Sequence, residues 1–533
     1  MLRRRFIPTV AHFAFFLALA LAAQWAAGVY TSDLNGGDEA SHFINGLLVH
    51  DYIADGFPGN PVSYAIGYYL HYPKVAIGHW PPLFYPVEAA MFFLVGPSVL
   101  SALLLEALIA AGIATLVGWI VARLCDGVAG LLAGIATLAA PEIFGSMQGV
   151  MLDNPITLLC LIAMVAWARF LVCATWQSSL GFAAAATAAI LTKGNGLYLA
   201  LVPPLSVVLM ARLDLMRNWA FWLPAGIVVV LCAPWYAATY KIAADGFNGV
   251  WGPQYVATAA PVFASALVRA IGIPGFLAFA AGSAHVVWHR RRVAHWEIGI
   301  AALCIVLADF IYHSIVPVAL EPRYLASSVP AMLVLVCFAA EWAGTVSAAV
   351  APALVAALAL LVIIGTEFVP ESKASRGLEQ AAAAILRSPE KNPFILVGSD
   401  PAGEGALTVA VATHDRARTI YVVRGFQVLG TGDFMGHGYH AHFDSAQDMG
   451  RWIEANGIGW IVIDTGRRSL DWRHNRELLE LADSNPRGWT RAARITVDDH
   501  EVRVYRVATG FDRPIDIAKL LPQLAPVKVI GRY

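Results

Sequence analysis

Apolar residues run in long blocks over the first two thirds of the chain and in short, alternating runs after that. Phe6–Tyr30, Val99–Val121, Phe221–Thr239 and Val350–Val369 each reach the roughly 20 residues needed to cross about 30 Å of hydrocarbon. One such run fits a soluble core; a long series of them requires a membrane. The pattern predicts spans at 6–30, 99–122, 128–148, 154–172, 180–192, 195–212, 219–240, 266–288, 297–318, 327–343 and 347–369. Leu83–Val95 is apolar but short, and is predicted as a half-inserted or interfacial helix, which brings the total to about 11–13 membrane helices. The first member of the 180–192/195–212 pair is also short, and Lys193 interrupts the two.

After residue 370 the period changes. Phe394–Val397, Thr419–Val423 and Trp460–Ile463 are short and β-branched, Glu501–Val507 alternates like a strand, and Ala446–Ala455 and Arg476–Ala482 have helical spacing. The predicted fold class is a polytopic α-helical membrane protein with a C-terminal soluble α/β domain. Its expected domains are 1–370, carrying a first loop at 31–82, and 371–533. The glycine-rich Gly430–Gly436 misses the dinucleotide fingerprint by one residue and lacks its strand–helix context.

Composition agrees with a membrane protein: 58% of the 533 residues are hydrophobic and 14% charged. A net charge of −1 supplies no general field for nucleic acid. The six cysteines lie apart, in or beside apolar runs, without metal-ligand spacing, and read as buried small hydrophobes. Arg3–Arg5 precede a run long enough for a retained first helix, with a cleaved signal peptide as the alternative. Positive residues flank cytoplasmic ends. Placing Arg3–Arg5, Arg123, Arg169, Arg212, Arg217 and Arg290–Arg292 inside leaves the 31–82 loop, the 241–265 loop and the tail outside.

Ionisable groups at the edges of spans are costly and are therefore candidates for function. Asp38 and Glu39 follow two glycines where the first helix emerges; Asp38 is either a helix cap or a base for a hydroxyl acceptor. His79 precedes Trp80-Pro81-Pro82-Leu83, a helix-entry signal, and Lys74 is either a phosphate contact or a surface lysine. Asp153, before Asn154-Pro155, is a cap or an acid held at the bilayer surface. Lys193, in Thr192-Lys193-Gly194, either snorkels or meets an anion. Arg323, in Glu321-Pro322-Arg323-Tyr324, lies on the side where cations are depleted, and either pairs with an acid or holds a phosphate.

This order of motifs over residues 1–370 resembles the GT-C glycosyltransferases. It is nearest the family 39/83 group, which includes the lipid A aminoarabinose transferase and the protein O-mannosyltransferases. The resemblance implies a GT-C membrane fold in the bacterial inner membrane and a polyprenyl-phosphate-linked sugar donor, specifically undecaprenyl phosphate. It implies inverting transfer to a lipid, glycan or protein acceptor on the periplasmic face. By position, Asp38 would be the catalytic carboxylate, with Glu39 beside it and Asp153 a second acid. Lys193, Arg323, Tyr324, Lys74 and His79 would hold the donor phosphate. The usual Lys-Pro-Pro-Leu reads His79-Trp80-Pro81-Pro82-Leu83 here, so the lysine's role passes to His79, to Lys74 or to neither. Some relatives bind a divalent metal near the first loop. No cofactor is compelled here, but Glu39, His42 and His79 are the candidates for one, and His437, His440, His442 and Asp444 form a second possible group. Competing readings are a transporter or flippase, which favours internal repeats and mid-membrane breaks, and an O-antigen ligase or polymerase.

Overall fold

A computed structural model describes residues 10–34, 36–244, 251–289, 293–344, 350–365, 373–432, 438–485 and 487–512, with 520, 523 and 524. His437 and most of Gly430–Gly436 therefore fall outside the described residues. The chain divides into two compact units: Met1–Ala26, Ile77–Phe84 and Leu103–Glu371 form the first, and Ala27–Ala76, Tyr85–Ala102 and Ser372–Tyr533 the second.

The first unit is an all-helical bundle. Val99–Leu124, Asp153–Cys173, Trp219–Ala243, Pro253–His289 and Trp296–Ile315 are long and apolar enough to span a membrane. Gly127–Ala139 and Pro141–Met147 make a sixth candidate, bent by 62°. The bend falls where Pro141 has no N–H to continue the ladder. This is a multi-pass membrane protein.

Two expected boundaries change. The 195–212 span is a 3-10 stretch, Gly194–Leu201, followed by Val202–Met210. The expected 241–265 loop turns helical from Pro253, and that helix runs to His289 with an interruption at Gly272 (φ 70°, ψ 166°). Pro274 lacks an N–H and Gly272 takes a left-handed φ, so the break needs no side chain to adopt a strained conformation.

Small residues let these helices approach closely. A Cβ at Gly282 would lie 2.0 Å from the Leu335 carbonyl oxygen, so Pro253–His289 meets Ser328–Gly344 backbone to backbone there.

The second unit is built on a five-stranded sheet. Its chain-order strands are β1 (Phe394–Gly398), β2 (Tyr421–Arg424), β3 (Gly430–Thr431), β4 (His440–Ala441), β5 (Trp460–Asp464), β6 (Trp489–Val497) and β7 (His500–Val507). The main sheet has the order β2-β1-β5-β7-β6, with β1 parallel to both β2 and β5, while β7 runs antiparallel to β5 and β6. β1 and β5 are buried at every residue, as expected of parallel strands covered on both faces. The α/β reading of the tail holds, and β7 begins one residue before the predicted strand.

Two helices of the 31–82 region, Glu39–Ala54 and Pro61–His71, belong to this unit. Glu39–Ala54 packs on Pro401–His414, the helix that follows β1. Asp51, buried on the first of these, pairs with Arg416 and accepts a hydrogen bond from Tyr68 at 2.9 Å. Phe84–Val95 is a single 12-residue helix, about 18 Å long at 1.5 Å per residue and too short for a full crossing.

Gly282→Val should lower the thermal stability of the purified protein by about 1–3 kcal/mol through overpacking. Gly226→Ala, where a Cβ meets nothing within 4 Å, should leave it nearly unchanged. Equal midpoints for the two variants would exclude the close helix crossing.

Candidate active site

The first unit gathers four of the predicted residues. Asp153 opens its helix but makes no side-chain capping bond; its carboxylate is 2% exposed and meets Lys193 Nζ at 2.6 Å. Arg323 Nη1 stands 4.0 Å from the other Asp153 oxygen, and its Nε donates to Glu321. Tyr324 lies beneath both cations, with Lys193 Nζ 4.9 Å and the Arg323 guanidinium 5.6 Å from the ring centroid. A buried carboxylate is tolerated when a cation and further hydrogen bonds replace water. The capping alternative for Asp153 and the snorkelling alternative for Lys193 are both set aside by this pair.

His79 belongs to this unit but stands exposed in a turn closed by the Ile77–Trp80 bridge. Pro81 and Pro82 extend the chain, and the helix begins at Phe84.

Two functional candidates in this unit were missed at the level of sequence. Asp309 and His313 are fully buried one helical turn apart and pair at 2.9 Å, while Ser328 donates to Asp309 at 2.6 Å. The His313 ring is stacked near-parallel to Tyr324, with centroids 5.7 Å apart. Thus a buried acid–histidine contact props the ring that faces Lys193 and Arg323. The signal was present, since an acid and a histidine four residues apart inside an apolar span are expensive.

The second unit holds the other predicted acids. Asp38 sits at the start of Glu39–Ala54, and its backbone carbonyl accepts the Ser41 and His42 N–H groups, but its side chain makes no capping bond. The capping alternative for Asp38 fails on geometry. Glu39 is 6% exposed and pairs with Lys373 Nζ at 2.8 Å, leaving Oε2 buried without a hydrogen bond. His42 Nδ1 lies 3.2 Å from the Tyr85 hydroxyl.

Lys74 is buried, and Nζ donates to the Pro401 carbonyl oxygen at 3.0 Å. Burial pushes its ammonium down to about 7, with Arg424 adding to the effect and Glu404, Asp38 and Asp400 opposing it. Glu404 is fully buried; it accepts from Arg424 Nε at 2.8 Å and from the Phe426 N–H at 2.9 Å. Burial pushes its carboxyl up against those partners. Lys74 is therefore one of a buried set of charges, and the surface alternative for it is excluded.

The linker into the sheet is tied down by charge. Arg376 donates from its backbone to Asp33 at 2.7 Å, and from its guanidinium to Asp400 at 2.8 Å and Asp464 at 2.7 Å. Burial pushes the Asp464 carboxyl up, but Arg376, Ser469, the Gly466 N–H and Ser399 together hold it below the usual range.

Among the described residues no three His, Cys, Asp or Glu side chains gather as a metal site. Glu39 is paired with Lys373 and His42 lies against Tyr85.

No family model matches the chain, and no curated protein matches it. Several solved structures share its fold. ArnT from Cupriavidus metallidurans bound to undecaprenyl phosphate has a TM-score of 0.58 at 16% identity, over 94% of this chain and 99% of that one. Its apo state gives 0.55 at 17%, over 94% and 98%. The apo oligosaccharyltransferase of Archaeoglobus fulgidus gives 0.51 at 11%, over 84% of this chain and 69% of that one. The architecture is the GT-C fold, with the α/β tail included in the match to ArnT.

Removing one partner from a buried pair strands the other. Lys193→Ala should cost about 3–5 kcal/mol of stability, and Lys193→Ala with Asp153→Asn should recover much of it in thermal unfolding. If the double variant is no more stable than the single, Asp153 does not depend on Lys193.

Lys74 carries a second expectation. Its ordinary value is 10.5 and its folded value about 7, so between those limits the unfolded chain binds the extra proton. The stability difference between wild type and Lys74→Met should shift in favour of wild type as pH rises through that window, and flatten below it. A pH-independent difference in thermal midpoint would contradict the burial of this amine.

Proposed function

We propose that this protein is a membrane glycosyltransferase that moves a sugar from a polyprenyl-phosphate donor to a lipid, glycan or protein acceptor. The observation that carries the reading is the buried Asp153–Lys193 pair with Arg323 beside it over Tyr324, in a chain of GT-C fold. Two cations and an aromatic face suit a phosphate attached to an apolar chain. The ArnT structure of the same fold holds undecaprenyl phosphate, which supports that class of donor.

In this reading residues 1–370 form the catalytic domain and 371–533 an extracytoplasmic α/β domain, in a bacterial inner membrane. Asp38 takes the proton from the acceptor hydroxyl. The freed oxygen attacks the anomeric carbon, the bond from that carbon to the phosphate oxygen breaks, and the lipid phosphate leaves with the electron pair. Attack opposite the leaving group inverts the anomeric configuration.

Lys193 and Arg323 stabilise charge gathering on the departing phosphate. Tyr324 seats the cations, and Asp153 keeps them oriented. Glu39, neutralised by Lys373, leaves Asp38 the acid to work as base. His79, exposed in its turn, and Lys74, whose ammonium is held by the Pro401 carbonyl, are the further candidates for the donor phosphate.

Asp38→Asn should lower transfer from a polyprenyl-phosphate sugar by about 10²–10⁴-fold, with membrane insertion and expression retained; full activity in that variant removes the assignment. Mass spectrometry of envelope glycolipids with and without the gene would identify the acceptor. For orientation, an impermeant maleimide on intact cells should label Lys391→Cys and spare the exposed Cys173. The opposite labelling would reverse the proposed topology.

A further inference from the structure

Within the first unit, Val99–Leu124, Asp153–Cys173 and Trp176–Thr192 border a groove of about 750 Å³. Leu116, Ile162 and Val165 make its apolar wall, while Trp119, Arg169 and Gln177 bring polar or interfacial groups. Arg169 is exposed, and Arg123 stacks its guanidinium 4.2 Å from the Trp119 ring centroid. Among the described residues no acidic side chain lines the groove. Neither guanidinium forms an ion pair among the described residues.

The surroundings are those of a lipid-facing surface: Ile162 is 42% exposed and Val172 60%. Arg169 lies sixteen residues beyond Asp153 in one helix, about 24 Å along its axis. The groove therefore stands apart from the Asp153 cluster, at the other end of that helix. An apolar wall beneath two unneutralised guanidiniums and a tryptophan has the chemistry of an amphiphile site with an anionic head.

The geometry points to a site for an anionic glycerophospholipid, its phosphate between Arg169 and Arg123 and an acyl chain along Leu116, Ile162 and Val165. Arginines gather on the cytoplasmic side of membrane proteins, where the leaflet is rich in anionic lipid. The inference does not depend on the proposed transferase activity.

The test uses the full-length protein in nanodiscs of phosphatidylcholine with or without phosphatidylglycerol, read by native mass spectrometry of retained lipid. Wild type should retain phosphatidylglycerol in preference to phosphatidylcholine. Arg169→Gln and Arg123→Gln should each reduce that preference by about fivefold, the factor for roughly 1 kcal/mol per arginine. Arg169→Lys should keep part of it, and Arg269→Gln, exposed on Pro253–His289, a helix that contributes nothing to the groove lining, should keep all of it.

Equal retention of the two lipids by wild type would overturn the proposal. So would an equal loss in Arg269→Gln, which would mean unspecific charge attraction, or displacement of phosphatidylglycerol by substoichiometric undecaprenyl phosphate, which would make the groove a carrier site. A variant that misfolds is recognised by a lowered thermal midpoint in pure phosphatidylcholine, and Arg169→Lys then decides the question.

Discussion

A carboxylate that is almost completely withdrawn from solvent needs a cation within hydrogen-bond reach, and Asp153 has one in Lys193. That requirement joins the helix beginning at Asp153 to the turn that ends Trp176–Thr192. Arg323 and Tyr324 complete the arrangement from a short 3-10 turn, and Asp309 with His313 supports the tyrosine ring from behind. The charges around Asp153 are thus kept in one connected polar cluster, because isolated ions in an apolar environment would be neutralised or expelled.

The second unit solves a related problem with its own set of buried charges. Its first-loop helices carry Asp38, Glu39 and Asp51, three acids that would repel one another if left uncompensated. Lys373 takes Glu39 and Arg416 takes Asp51, both contributed by the C-terminal region. Lys74, Glu404 and Arg424 form a buried set in which each charge depends on the others. The sheet itself supplies rigidity through fully buried β1 and β5, and the polar side chains that leave the ends of these strands meet Arg376.

Much of the fold was legible because periodicity is a local property. The long spans, the short helix at residues 84–95 and the strands of the tail all follow from which positions repel water. The interruptions were less visible: Gly272 and Pro141 mark breaks only when their neighbours demand them, and the helix beginning at Pro253 lay hidden in a segment of mixed polarity. Individual site residues were also legible, since ions beside apolar runs stand out. Their pairing was not. Lys193 and Asp153 are 40 positions apart and Lys74 is 327 from the carbonyl it binds, distances over which one sequence carries no signal of contact. Asp309 and His313 lie within a helix, away from the span ends where position alone marks an ionisable group.

The short stretch from Lys373 to Gly377 deserves to be seen as a splice. In five residues it borrows a carbonyl from Ala27, a carboxylate from Glu39 and another from Asp33, then sinks an arginine among the strand ends of the sheet. The tail is consequently no removable appendage. Severing the protein ahead of this stretch strips Asp33 and Glu39 of their partners along with the sheet, so the loop carboxylates would be left uncompensated even where every membrane helix survived.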